Sequence, residues 1–253
     1  MVVPDCWYAQ GYLGDSVSVD PIKYAIDRAY AFCEEQQAAV DTGLISEAQW
    51  FDNHKKFITT HYLASDNPRG QSGHGGDETR YRYTQEMILD ATEGDGTFID
   101  VGCANGYLME KLKDWSLERG TRLEFYGLDI SEELIALAKR RLPQWKDRFY
   151  AGNALYWEPT SKYRYVCVRE LDYVPQGQRR VFFFHLLNRF VDEGGRLILG
   201  PGTERIDDPG IAQETASWGT PPTGSCSKPH QEHKELIRRV YWYEAGRAEA
   251  VRP

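Results

Sequence analysis

Apolar residues first recur at helical spacing after Pro21. Ile22, Ala25, Ile26, Ala29, Tyr30 and Cys33 share one face of a 3.6-residue period. Pro21 suits a first helical turn, Asp20 suits its cap, and Gly43 ends the run. A second helical face, Trp50, Phe51, Phe57, Ile58 and Tyr62, follows Ser46 and Gln49, which stand at capping-box spacing. Met1 to Asp20 holds Pro4, Gly11 and Gly14 among aromatics and reads as irregular but packed. Ala64 to Glu78 (ASDNPRGQSGHGGDE) breaks every period, and its glycines with Pro68 exclude regular structure.

From Thr79 the period begins to alternate. Thr79 to Ala91 predicts a helix with Tyr83, Met87 and Ile88 on one face. Short apolar runs then predict strands at Thr97–Val101, Leu123–Leu128, Arg148–Ala151, Tyr163–Val168 and Arg196–Gly200. Helical patterns fill the gaps: Asn105–Leu117, Glu132–Arg141 between Ser131 and Pro143, and Gln178–Phe190. Pro201 to Asp208 reads as loop, Ile211 to Trp218 as a weak helix, and Leu236 to Tyr243 as a final strand. The tail from Gly246 reads as frayed. Five strand-helix alternations make an α/β protein with a largely parallel sheet and right-handed crossovers. In such sheets the ligand lies at the carboxyl ends of the strands. Residues 1–78 then form a helical lid or wall over that pocket, and 79–253 form the sheet domain.

Composition narrows the class. The chain has 253 residues, 41% hydrophobic and 27% charged, as in globular proteins. No apolar run reaches the length of a membrane span, and the start lacks the charged-then-apolar pattern of a signal peptide. The five cysteines are scattered without metal spacing, which suggests reduced thiols in the cytoplasm. His54, His61, His230 and His233 show no metal spacing either, and no metal is expected. A net charge of −8 disfavours nucleic acid as a partner and suits a cationic small substrate. A homo-oligomer is compatible with all of this.

The chemistry concentrates in TFIDVGCANGYL, Thr97 to Leu108. A strand ends near Asp100, and Gly102, Ala104 and Gly106 follow two apart before a helical pattern resumes. Small residues there let a ligand approach the backbone at a helix N-terminus. A dinucleotide fingerprint would leave two residues in the second gap, and an acid before the turn is awkward beside a pyrophosphate. A tight turn using glycine for geometry alone is the plain alternative. Asp129, closing the second strand, can accept both ribose hydroxyls of a nucleoside, or simply cap the next helix with Ser131. Ile130 can pack on an adenine face.

Taken with GLDISEELIALAKRRLP, Gly152-Asn153-Ala154 and GGRLIL, the stretch resembles the ordered motifs of class I S-adenosylmethionine-dependent methyltransferases over roughly Thr79 to Gly200. Ala104 departs from the commoner middle glycine, and Asn153 from the commoner aspartate. The resemblance implies a Rossmann-like seven-stranded, mostly parallel sheet with helices on both faces and an antiparallel final strand. It implies S-adenosyl-L-methionine as cofactor. Asp100, Gly102, Ala104, Asn105, Gly106, Tyr107, Asp129, Ile130, Asn153, Ala154, Arg169 and Gly73 are then expected to face it, with Asn153 on the adenine amino group. The NPRGQSGHGGD loop resembles that of a bacterial subgroup of secondary metabolism, antibiotic biosynthesis included.

Methyl transfer is a direct displacement requiring an in-line nucleophile about 3 Å from the methyl carbon. Glu170 is expected to act as base, with His74 as runner-up if its loop closes over the site. Asp66, Arg69, Glu170, Asp172 and Tyr173 are expected to contact the acceptor, a small molecule methylated on nitrogen or oxygen. An RNA or protein methyltransferase is one alternative, though the asparagine-proline-proline-aromatic signature is missing after the fourth strand. A cofactor-binding scaffold without catalysis is another.

Overall fold

A computed structural model describes residues 21–207 and 210–246. Readings that fall on Met1 to Asp20, on Asp208 and on the tail after Gly246 lie outside the described residues. Seven strands form one sheet: β1 (Gly96–Val101), β2 (Leu123–Asp129), β3 (Phe149–Ala151), β4 (Tyr163–Val168), β5 (Val191–Arg205), β6 (Gly224–Pro229) and β7 (Leu236–Glu244). Their order is β3-β2-β1-β4-β5-β7-β6. The pairs among β1 to β5 are parallel, and β7 is antiparallel to both β5 and β6.

Period-2 alternation sends side chains to both faces, and both are covered. From β1, Ile99 and Val101 join one apolar cluster, with Phe182, Phe183 and Leu186 of α6 (Arg179–His185) and its continuation. Phe98 joins the other cluster. That face carries Tyr81 of α3 (Glu78–Gln85), Met109, Leu112 and Trp115 of α4 (Tyr107–Glu118), and Ile135 and Ala138 of α5 (Glu132–Arg141). The sheet is therefore a buried middle layer, and polar groups concentrate at its strand ends.

Ahead of the sheet lie α1 (Pro21–Asp41) and α2 (Glu47–Leu63). The capping box read from Ser46 and Gln49 is formed in both directions. Phe32 stacks on Phe57 with ring centroids 4.1 Å apart, which ties α1 to α2. Onto the sheet domain, α2 is held by Thr59 Oγ1 donating to Ser131 Oγ at 2.8 Å and by Gln178 Nε2 donating to Glu47 at 2.7 Å.

Four readings need correction. Ala64 to Glu78 is not wholly irregular, because Gly70–Ser72 forms a 3-10 turn capped by Gly73 at φ 81°. The segment from Thr79 is not one helix: α3 tightens into a 3-10 helix over Glu86–Ala91. The helix from Gln178 likewise changes to a π-turn over Leu186–Phe190. Pro201 to Asp208 is strand rather than loop as far as Arg205, because Gly200 and Pro201 sit in a bulge of β5 where no ladder N–H is required. Strand β6 (GSCSKP) had no sequence signal. It is a polar edge strand whose side chains alternate between half-buried and exposed, so nothing apolar marks it.

The remaining helix, α7 (Gly210–Ser217), packs Ile211 and Ala212 against the α6 side of the core.

Candidate functional site

The turn after β1 is built on left-handed backbone. Gly102, Ala104 and Gly106 have φ of 85°, 47° and 74°. Ala104 is the one described non-glycine residue with positive φ, and its N–H donates to Asp129 Oδ2 at 2.8 Å. A middle glycine would adopt this φ without strain, which explains why alanine is the rarer residue there. Ser131 N–H donates to Asp129 Oδ1 at 2.9 Å. The carboxylate thus ties the two strand ends together and also caps the start of α5. The Ile130 backbone adds a third bond to the carboxylate, whose remaining acceptor capacity is open to a ligand hydroxyl.

Three cavities meet at the strand ends. The largest, about 790 Å³, runs between the sheet and α2. Its floor includes Gly102, Asp129, Ile130, Asn153 and Ala154, and its roof is Trp50, Phe51, His54, Lys55, Ile58 and Tyr62. A second, of about 490 Å³, holds Asp100, Gly102, Ala104, Ser72, His74, Gln85 and Arg169. The two share Tyr62, Gly102 and Tyr173. A third, of about 340 Å³, holds Glu170, Asp172, Glu204, Arg169, Arg239 and Tyr241. It shares Asp172 with the first cavity and Arg169 and Gly200 with the second.

Gly102 is required where the cavities join. A Cβ there would lie 2.4 Å from the Tyr173 ring. Gly102→Ala should therefore cost stability by about 2–4 kcal/mol, from left-handed strain plus overpacking, in a denaturant titration. It should also weaken cofactor binding, since Tyr173 would be pushed into the space. Wild-type stability would show that the turn can move aside.

Burial raises the acids of the site. Asp100 is pushed up to about 7 by burial and by Asp129, with Arg169 opposing. Asp129 is pushed up to about 6 by burial, against its bonds from Ser131 and Ala104. Glu170 is pushed up to about 7 by burial, with Arg169 opposing and Asp172 adding. In each case the folded protein holds the proton more tightly than the unfolded chain. Stability should therefore fall as pH rises from about 4 to about 7, and the full cost persists above that. Asp100→Asn removes one such group. It should be more stable than the wild type at pH 8, by about 1–3 kcal/mol, with the gain vanishing near pH 4. A gain independent of pH would show that ionisation of Asp100 is not its source.

The expected cofactor residues divide in two. Asp100, Gly102, Ala104, Asp129, Ile130, Asn153, Ala154 and Arg169 all line cavities. Asn153 is partly engaged, its Oδ1 accepting from Leu155 N–H at 3.0 Å. Four others stand behind the turn, outside the cavity linings. Asn105 is fully buried, its Nδ2 donating to the Pro68 carbonyl at 2.8 Å and its Oδ1 accepting from Tyr107 N–H. It clamps the 64–78 loop to the turn. Gly106 packs so closely that a Cβ would meet Leu142 and Phe149 at 2.9 Å. Tyr107 turns its hydroxyl to Glu78. Gly73 packs against the Tyr62 ring, where a Cβ would be 2.3 Å from the hydroxyl. These four shape the site without facing it.

The acceptor residues divide likewise. Glu170, Asp172 and Tyr173 line cavities, but Asp66 and Arg69 do not. Asp66 is exposed beside Asn67, and Arg69 pairs with Glu78 at 3.1 Å. His74 does line the second cavity, but it is placed as an acceptor rather than a base. Its Nδ1 lies 2.9 Å from the Ser72 carbonyl, which can only accept, so Nδ1 carries the proton. Nε2 then accepts from Arg169 Nη1 and from Gln85 Nε2. Burial and Arg169 hold it well below the ordinary histidine range. Sequence reasoning missed Trp50, His54 and Lys55 as lining residues, although the apolar face of α2 pointed there. It also missed Glu204 and Arg239, because Pro201 concealed the extension of β5.

Three features suit a nucleoside cofactor. The Gly102 turn leaves no room for a side chain, Asp129 presents a carboxylate at the end of β2, and the buried Trp50 indole N–H has no hydrogen-bond partner. Among the described residues no cluster could hold a metal ion, and no helix is long and apolar enough to cross a membrane.

Residues 92–159 match a family model described as a methyltransferase domain. No curated protein matches the chain by sequence. Among solved structures, phosphoethanolamine N-methyltransferase 1 of Haemonchus contortus, in complex with phosphoethanolamine and S-adenosylhomocysteine, is 14% identical. Its TM-score is 0.57, and the match covers 82% of this chain and 52% of that one. The Burkholderia thailandensis 1,6-didemethyltoxoflavin-N1-methyltransferase, with bound 1,6-didemethyltoxoflavin and S-adenosylhomocysteine, is 12% identical. There the TM-score is 0.51, with 92% and 93% covered. YjhP from E. coli is 12% identical with a TM-score of 0.50, covering 74% of this chain and 99% of its own. At these identities the structural likeness concerns the fold alone, and the family model concerns residues 92–159. Residues 92–159 thus match a methyltransferase domain, and the sheet as a whole has the fold of these methyltransferase structures.

Proposed function

We propose that this enzyme methylates a nitrogen or oxygen of a small metabolite of cationic character, in cytoplasmic secondary metabolism. The observation that carries this reading is Glu170. It is 6% exposed, it lines the third cavity, and that cavity adjoins both others. An acid raised to about 7 is matched to taking a proton from an ammonium or hydroxyl near neutral pH. Asp172, paired with Arg179 at 2.5 Å, and Glu204, paired with Arg239 at 3.3 Å, place further carboxylates around the same space. The net charge of −8 and the narrow third cavity favour such an acceptor over a nucleic acid.

Bound S-adenosylmethionine supplies a methyl group activated by its sulfonium charge. Asp129 and Ile130 hold the ribose and adenine, and Asn153 and Ala154 border the base. Asp100 and Arg169 take the amino and carboxylate ends. Glu170 accepts the acceptor's proton, while Tyr173 forms the wall between donor and acceptor. Residues 1–78, so far as they are described, serve as a lid that keeps water out. The phosphoethanolamine and toxoflavin-type enzymes of similar fold act on small nitrogen acceptors, which accords with this reading. The test is a screen with labelled methyl donor against amine, hydroxyl and thiol metabolites, with tRNA and protein as further arms. Transfer to an amine or hydroxyl compound supports it. Transfer only to tRNA or protein overturns it, as does cofactor binding with transfer to nothing.

A further inference from the structure

Helix α2 carries a buried donor, the Trp50 indole N–H, and an acceptor, His54 Nε2, on two residues that line the largest of the three cavities. Trp50 is 4% exposed and lines that cavity, yet its Nε1–H has no hydrogen-bond partner among the described residues. A buried N–H in that state is costly unless something else supplies an acceptor. One helical turn on, His54 lines the same cavity. Its Nδ1 lies 2.9 Å from the Trp50 carbonyl, so Nδ1 carries the proton and Nε2 presents a lone pair. The two rings stack with centroids 3.6 Å apart and planes 22° from parallel, which fixes both side chains together. Burial holds His54 down at about 4, so the ring stays neutral and Nε2 remains an acceptor through the physiological range.

Across the cavity stand Ile130, Asn153 and Ala154, the residues assigned to the adenine. The Asn153 carbonyl oxygen is already engaged by Leu155 N–H, which leaves the base with fewer partners from the sheet side. An adenine edge offers a ring nitrogen as acceptor beside an amino group as donor. We propose that α2 reads this edge, with Trp50 Nε1–H donating to an adenine ring nitrogen and His54 Nε2 accepting from the amino group. Helix α2 is then part of the cofactor site as well as its roof. It takes up its closed position against the base, and the unpaired indole finds its partner only when the cofactor is bound. The assignment rests on the bound cofactor and is independent of the identity of the methyl acceptor.

Calorimetry with S-adenosylhomocysteine and its 1-deaza, 3-deaza and 7-deaza analogues tests it. Wild-type enzyme should bind the 1-deaza or the 7-deaza analogue roughly tenfold more weakly than the parent, the loss of one hydrogen bond, and the 3-deaza analogue, whose missing nitrogen is not beside the amino group, as tightly as the parent. Trp50→Phe should bind the parent roughly tenfold more weakly and show no further loss with that same analogue. His54→Leu should be indifferent to replacement of the amino group by hydrogen, to which the wild type is sensitive. Circular dichroism checks that each variant is folded. Should Trp50→Phe not fold, the wild-type arm still decides: affinity for the 1-deaza and 7-deaza analogues equal to that for the parent overturns the proposal, whatever the 3-deaza analogue does. So does a Trp50→Phe enzyme that remains as sensitive as the wild type to every analogue.

Discussion

Asp129→Asn should bind S-adenosylhomocysteine about ten- to hundredfold more weakly than the wild type. The carboxylate sits at the end of β2 with Oδ2 accepting from Ala104 N–H and Oδ1 from Ser131 N–H. Ionised, it can accept two ribose hydroxyls as well, and charge-assisted bonds of this kind are worth about 1.5–3 kcal/mol. An amide loses the charge and turns an NH₂ group against one of two backbone donors. The turn itself should loosen, because Ala104 is held in its left-handed conformation partly by that bond. Isothermal calorimetry and a denaturant titration separate the two effects. Affinity should fall well beyond any change in stability at pH 8, where the wild-type acid is ionised. Unchanged affinity would remove Asp129 from the cofactor site and leave it as a structural tie between two strand ends.

Glu170→Gln should leave cofactor affinity near that of the wild type and lower turnover by a factor of about 10² to 10⁴. The side chain lines the third cavity, and its nearest cation is Arg169 Nε at 3.5 Å. The sign of the pH dependence follows from its ionisation. A base must be deprotonated to act, and burial raises this one to about 7. Wild-type turnover on the acceptor found by the screen should therefore rise tenfold per pH unit below 7 and level off above it. The Gln variant should lack that limb. A variant that keeps the limb would assign it to another acid, with Asp172 the first to examine, since burial raises it too. A variant with full turnover would show that the acceptor arrives already deprotonated.

Most of the sheet was legible because its central strands had to be apolar to be buried on both faces. Tyr163–Val168 and Glu132–Arg141 have the bounds their patterns suggested, and Leu123–Asp129 differs by one residue. Strong periodicity and clean punctuation by Ser131 and Pro143 left little choice there. The glycine spacing after β1 was legible for the same reason: left-handed backbone admits few residues, so their positions show in the letters.

What failed was of two kinds. Strand β6 and the outer half of β5 are edge or bulged structure, stabilised by pairing with β7 rather than by their own pattern. The expected site residues that the cavities leave out lie beside cavity-lining ones in sequence. Asn105 and Tyr107 flank the cavity-lining turn but point into the protein, because the chain enters a helix there and successive side chains rotate away from the ligand. Asp66 and Arg69 share a loop with His74, yet only His74 reaches the cavity. That loop is bound by Asn105 to the turn at Pro68, a long-range contact that no local pattern encodes.

The sequence by itself determined the turn at the strand ends: a strand, a left-handed turn and an acid at the next strand end, all fixed by local conformational limits. Only the tertiary structure decided the rest. It laid α2 across the strand ends, set Trp50 and His54 in the lining of the largest of the three cavities, and gathered Glu170, Asp172 and Glu204 around one small cavity. Those residues lie far apart along the chain and come together through packing, which depends on the whole fold rather than on neighbouring residues.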